Sequence, residues 1–123
     1  MRSTLVLLAI FFTSFSYASN NSNKSMDGLL CAVESATYYK RVLESQNLEV
    51  DKYRHCTVSC IVGIECGISS SAIIGVAKEI YDLFGGGHAE WRDLLANING
   101  LRLSHRTDIQ NFEDCSASCK SIY

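Results

Sequence analysis

Proline is missing from all 123 residues. Without a residue that locks φ and removes an amide donor, nothing interrupts long helices from within. Clustered basic charge is missing too. The 11 Lys and Arg residues are outnumbered by 13 Asp and Glu, which excludes the basic face of a nucleic-acid binder. No run approaches the roughly 20 apolar residues that a spanning helix needs. The most apolar stretch past the N-terminal region, 61–77, is broken by Glu65 and three serines, so it reads as core, with peripheral membrane contact through an exposed face as the alternative. Catalytic signatures are equally scarce. There is no G-x-S-x-G elbow, no H-E-x-x-H, and no E-x-x-H pair for a di-iron bundle. His88-Ala89-Glu90 lacks the P-C-x-x-C half of a deaminase site. Gly85-Gly86-Gly87-His88 lacks the Lys-Ser/Thr of a phosphate loop and reads as a turn. With no C-x-x-C knuckle or redox pair, no cofactor and no resident metal is expected.

Residues 1–18 have the form of a signal peptide. Arg2 gives a positive start, Leu5–Phe12 is a short apolar run, and Ser16 and Ala18 stand at −3 and −1 of a cleavage site. Residues 19–24 form a polar tail expected to be disordered, with N-x-S sequons at Asn20 and Asn23. Residues 25–123 then make one helical, disulfide-rich domain carrying a charge of about −3. The expected location is secreted or periplasmic.

Apolar spacing divides this domain into helices. The first begins near Ser25 or Asp27 and buries Leu29, Val33, Ala36, Tyr39 and Leu43. Gln46 to Glu49 form a polar link. The second opens at Val50 or Asp51 with Tyr53, Cys56, Cys60 and Ile64 on one stripe, broadened by Val58, Ile61 and Val62. An element apolar over so much of its girth belongs in the middle of a bundle, and Gly67 terminates it. Ser69–Ser71 offer caps for a third helix with an apolar face of Ile73, Val76, Ala77, Ile80 and Phe84. A fourth, Ala89–Asn99, turns Trp91, Leu94, Leu95 and Ile98 inward and stops at Gly100. Leu101–Arg106 is read as a connection. Thr107 and Gln110 form a capping box for a fifth helix with Ile109, Phe112, Cys115 and Cys119 on one face. The fold class is therefore all-α, a small four- to five-helix bundle stapled by disulfides.

The staples are Cys31, Cys56, Cys60, Cys66, Cys115 and Cys119. Six cysteines allow 15 connectivities. Two pairs are spaced i, i+4, so each projects from one helix face. On antiparallel neighbours that spacing favours Cys56–Cys119 and Cys60–Cys115, leaving Cys31 for Cys66.

Three segments carry a family likeness: Asp51-Lys52-Tyr53-Arg54-His55, Lys78-Glu79-Ile80-Tyr81-Asp82, and Asp93-Leu94-Leu95-Ala96-Asn97-Ile98-Asn99-Gly100. Their order resembles the serum amyloid A family and its bacterial relatives, which often carry H-C-x-x-x-C where His55-Cys56-Thr57-Val58-Ser59-Cys60 stands. The likeness spans Asp51 to Gly100. It implies a compact four-helix arrangement and, from the vertebrate members, binding of lipid and small apolar ligands. The amphipathic, lipid-binding N-terminal helix of that family has no clear counterpart in Leu29–Leu43, which carries Glu34, Lys40 and Arg41, and the Asp114–Cys119 segment looks disulfide-tied, unlike the vertebrate proteins.

Within these segments Asp51 and His55, Glu79 and Asp82, and Asp93 and Asn97 are each one helical turn apart. If the three faces meet, two or more carboxylates and an imidazole cluster. Register-fixing interhelical contacts neutralised by Lys52 or Lys78 are the first reading. The alternative is a small metal-dependent or acid–base hydrolase using Asp51, His55, Glu79, Asp82, Asp93 and Asn97. The function expected from sequence is an exported, disulfide-stabilised binding module whose partner is a protein, a lipid or another envelope component.

Overall fold

The computed structural model describes residues 26–46, 50–85 and 88–123. The signal-peptide and polar-tail expectations, residues 1–24, lie outside the described residues. Five helices and no strand occur among them: α1 (26–45), α2 (Asp51–Cys66), α3 (Ile68–Gly85), α4 (Trp91–Ser104) and α5 (Phe112–Ile122). The all-α bundle expected from sequence is the observed architecture.

α2 is the axis. Tyr53, Cys56, Thr57, Ser59, Cys60, Ile61, Val62 and Gly63 are all buried, so every face of this helix meets another element. It packs on α3, α4 and α5 and is bonded to α1 through Cys31–Cys66. Asp51 lies in its first turn, complementing the helix dipole. Gly67 ends it at φ 92°, a conformation that side chains with a Cβ disfavour. α3 follows after that single residue, with the Ser71 amide donating to the Gly67 carbonyl at 3.1 Å. Ser69, Ser70 and Ser71 therefore lie inside α3 rather than capping it.

The disulfides pair Cys31–Cys66, Cys56–Cys119 and Cys60–Cys115, with Cα–Cα separations of 5.6, 5.9 and 5.8 Å. This is the pairing that the i, i+4 spacings favoured. Two successive turns of α2 are thereby riveted to two successive turns of α5. Tyr39 of α1 stacks on Phe112 of α5, ring centroids 5.1 Å apart. Glu65 near the end of α2 accepts from Ser35 (2.6 Å) and Tyr39 (2.7 Å) of α1. Burial and the Glu65 hydrogen bond push the Tyr39 phenol up to about 12.

The core consists of Ala32, Leu43, Tyr53, Cys56, Cys60, Ile61, Val62, Leu103, Ile109, Cys115 and Cys119. In α1, Leu43 is buried as expected, but Val33 is half exposed and Ala32 takes the inner position. α4 runs to Ser104, past the expected stop at Gly100. Gly100 is instead the crossing point with α2: a Cβ there would lie 2.2 Å from the Cys56 carbonyl oxygen. α5 starts one turn later than the Thr107–Gln110 reading. Its N-cap is Asn111, whose side chain accepts from the Asp114 amide at 2.9 Å, while Asp114 accepts from the Gln110 amide at 3.0 Å.

The largest correction concerns α3 and α4. Ile73, Val76, Ile80 and Phe84 face solvent rather than the core, and α3 buries Ser71 and Glu79. Trp91, Leu95 and Ile98 likewise point outward, while α4 buries Asp93, Ala96, Asn97, Gly100 and Leu103. Both helices are amphipathic as expected, but their polar and small faces are the inner ones. Against the side of α2 that carries His55 and Ser59, such a seam gains hydrogen bonds and close backbone approach in place of apolar contact.

Candidate functional site

The inner faces of α2, α3 and α4 bring the sequence-nominated polar residues together. His55 projects from the second turn of α2 and is at the centre. Its Nδ1 lies 3.1 Å from Asn97 Oδ1, which also accepts from Ser59 Oγ at 2.9 Å. With that oxygen as acceptor, Nδ1 is the donor, and in the neutral imidazole the lone pair is on Nε2. Nε2 faces two carboxylates, Asp93 Oδ2 at 3.6 Å and Asp51 Oδ2 at 3.7 Å. Glu79 approaches the opposite edge of the ring from α3, its Oε1 4.0 Å from Nδ1. Asp82, the sixth nominated residue, sits one turn beyond Glu79 and pairs with Lys78 at the edge of the cluster.

Fixed cations surround these acids. Lys52 Nζ is 2.6 Å from Asp93 Oδ1 and 2.6 Å from Glu90 Oε2. The contacts to Asp93 and then Glu90 hold the Lys52 ammonium well above the usual lysine value, and Lys52 in turn lowers Glu90. Arg54 Nη2 lies 3.2 Å from Asp51 Oδ1. Burial works to discharge Lys78, but the Asp82 hydrogen bond and the charges of Asp82, Glu79 and Asp51 outweigh it and raise its pKa. Lys52 and Lys78 thus neutralise charge as the register-fixing reading anticipated. Glu90, Arg54, Ser59 and Ser71 were not nominated from sequence. Ser71 Oγ donates to the Ser59 carbonyl at 3.0 Å and ties α3 to α2. Only Lys52-x-Arg54, beside Asp51 and His55, hinted at this extension.

The cluster is not evenly satisfied. Both oxygens of buried Glu79, and the Asn97 amide nitrogen, have no hydrogen-bond partner among the described residues. Asp51 and His55 also line a cavity of about 330 Å³ with Ser59, Ser71, Lys78 and Asn97, so the seam opens to solvent at one end.

The outer faces of the same two helices form a second feature. Ile73, Val76, Ile80 and Phe84 recur at helical spacing on α3, and Trp91, Leu95 and Ile98 on α4. Tyr81, Leu83, Phe84 and Trp91, each at least two-thirds exposed, lie at the C-terminal end of α3 and the N-terminal end of α4. Arg92 lies over the Trp91 ring, 5.9 Å from its centroid. Among the described residues no helix is long and apolar enough to cross a membrane. Comparison of the chain with protein-family profiles, with curated proteins and with solved structures finds no match in any of the three.

Proposed function

We propose that this protein is an exported, disulfide-stapled binding module whose outer α3–α4 face docks on an anionic lipid surface. The observation that carries the reading is the inversion of both helices: their aromatic and aliphatic side chains meet water while their carboxylates are turned in. Scattered exposed apolar residues are ordinary, but a row of them at helical spacing on each of two helices that pack on one another is the pattern of an interaction surface. Charge favours lipid. Apart from Lys78, which is paired at the inner cluster, the exposed ionic side chains within α3 and α4 are Arg92 and Arg102, both basic. An apolar face flanked by cations and rich in aromatics at one end is the pattern of an interfacial element. Removing a large apolar side chain from water contributes about 1.5–3 kcal/mol at full burial, so two or three such anchors support reversible adsorption. Three disulfides point to an oxidising compartment, and a secreted or periplasmic location fits a partner at the envelope.

The test uses Trp91, the only tryptophan in the chain. Its emission should shift to the blue on adding anionic vesicles, and the protein should pellet with them. Ile80→Ser with Phe84→Ser should suppress both effects. No pelleting and no spectral shift with either anionic or neutral vesicles refutes the lipid reading.

The hydrolase alternative retains one supporting observation, the meeting of His55 and Asp51 at the mouth of the cavity. Turnover of simple ester or phosphodiester substrates that is lost in His55→Gln would support it.

A further inference from the structure

We propose that Asp51, His55 and Asp93 form a binding site for a divalent transition-metal ion of the zinc class where α2 meets α4. One donor atom from each lies within 4.8 Å of the other two. Nε2 of His55 stands 3.7 Å from Asp51 Oδ2 and 3.6 Å from Asp93 Oδ2, too far for hydrogen bonds. Zinc holds nitrogen and oxygen ligands at about 2.0–2.2 Å, which places tetrahedral donors roughly 3.3–3.6 Å apart. Both nitrogen-to-oxygen separations therefore already stand near what a shared ion imposes, and the two carboxylate oxygens lie within 4.8 Å of each other.

Their supports point the same way. Each aspartate has its Oδ1 engaged by a cation, Arg54 for Asp51 and Lys52 for Asp93, and turns Oδ2 toward the imidazole. Asn97 Oδ1 accepts a hydrogen bond from Nδ1–H, so that in the neutral imidazole the Nε2 lone pair faces both Oδ2 atoms. A hydrogen bond on the far ring nitrogen is how ligating histidines are oriented. Three acceptor atoms converging with nothing positive between them repel one another.

Glu79 supplies an independent observation. Its side chain is 7% exposed, its Oε1 is 4.0 Å from the same imidazole, and neither oxygen has a hydrogen-bond partner. A buried carboxylate left so is costly; it lies on the Nδ1 edge of the ring, 3.9 Å from Lys78 Nζ, and adds to the uncompensated negative charge around His55 rather than to the ligand set. Asp51, Glu79, Asp82, Glu90 and Asp93 meet three fixed cations, Lys52, Arg54 and Lys78. With neutral imidazole two negative charges remain, which a divalent ion balances. The donor set selects the metal class. One imidazole with carboxylates suits zinc over the all-oxygen shells that calcium and magnesium prefer, and every cysteine is in a disulfide, so no thiolate competes. Asp51 is half exposed and borders the cavity, which gives the ion an entry path. The site stands apart from the lipid-facing surface, and its test is separate.

The experiment is calorimetric titration of tag-free, chelator-stripped protein with zinc chloride, with magnesium and calcium chloride as controls. One zinc per chain is expected, together with a raised melting temperature. Asp51→Asn, at a half-exposed position that leaves the packing intact, should weaken binding about tenfold, and His55→Gln about 100-fold or more. Cobalt in place of zinc should give a visible absorption band that His55→Gln removes. A flat titration overturns the proposal. So does zinc binding unchanged in both variants, because the ion would then sit on His88 or His105.

Discussion

Gly100→Ala tests the packing on which every interhelical distance above depends. A β-carbon at position 100 would lie 2.2 Å from the Cys56 carbonyl oxygen, 2.9 Å from the Cys60 amide nitrogen and 2.9 Å from Ser59 Cβ. Carbon and oxygen atoms come no closer than about 3.3 Å at ease, so the overlap is about 1 Å. Two of the three atoms struck belong to the α2 backbone. That stretch cannot retreat freely, because Cys56 and Cys60 anchor it to α5. Overpacking of this kind costs typically 1–3 kcal/mol, and a clash with clamped backbone belongs at about 3. Replacing glycine by alanine inside a helix returns about 1 kcal/mol. The net loss is about 2 kcal/mol, which for a domain near 100 residues lowers the melting temperature by roughly 8–16 °C. Thermal unfolding followed by circular dichroism, with the disulfides intact, measures it. Gly85→Ala is the matched control, since its nearest neighbour is the Tyr81 ring at 3.4 Å, and it should stay within about 0.5 kcal/mol of the parent. A Gly100→Ala protein melting at or above the parent temperature would refute the close crossing of α2 and α4.

Three further outcomes follow from the covalent and ionic contacts. Cys56–Cys119 alone would close a loop of 63 residues, worth about 4 kcal/mol of chain entropy, but with Cys60–Cys115 in place it closes only a ring of about eight residues. Cys56→Ala with Cys119→Ala should therefore cost nearer 2.5 kcal/mol of that entropy, and removing both bonds should cost more than twice as much in denaturant unfolding. Lys52→Ala leaves the buried Asp93 carboxylate without its cation and should destabilise by about 3 kcal/mol, whereas Glu90→Gln, at an exposed partner of the same lysine, should change little in the same assay. Tyr39 has a raised folded pKa of about 12 against 10.0 for a free phenol, so its contribution is complete below pH 10 and is lost as pH rises from 10 toward 12. Absorbance titration should resolve one late tyrosine in the parent, moved toward the ordinary range in Glu65→Gln.

The sequence made the sulfur framework legible because cysteines one turn apart on a helix must share a face, and two such pairs can meet in few ways. The polar cluster was legible for the same reason. Asp51 with His55, Glu79 with Asp82, and Asp93 with Asn97 each occupy one helix face, so only the mutual approach of three faces had to be learned from the structure. What periodicity could not reveal was which face of α3 and α4 turns inward. An amphipathic pattern defines two sides, and the apolar one is buried only when the neighbour offers an apolar surface. Here the neighbour offers Ser59, His55 and the bare backbone around Cys56. Gly100 was misread for a related reason: a glycine late in a helical pattern can mark a stop or a close crossing, and only the partner helix decides.

The arrangement divides into two halves held by different forces. α1 and α5 are bonded to α2 through sulfur and share the apolar core with it. α3 and α4 have no covalent tie to the rest beyond the chain itself; Ser71–Ser59, Lys52–Asp93 and His55–Asn97 hold them to α2. Net contributions of such contacts are about 1 kcal/mol each, larger where charge is involved, and weaker than a buried apolar face would supply. A 100-residue chain would be marginal if stabilised by that seam alone. The disulfides lift this constraint. By raising the free energy of the unfolded chain they allow α3 and α4 to bury little apolar surface beyond Ile74, Ala96 and Leu103 and to keep most of their large hydrophobic side chains outside. The cross-links on one side of α2 thus leave the other side free to present Ile73, Ile80, Phe84 and Trp91 to a partner, and to hold His55 among carboxylates that a tightly packed apolar core would not accommodate.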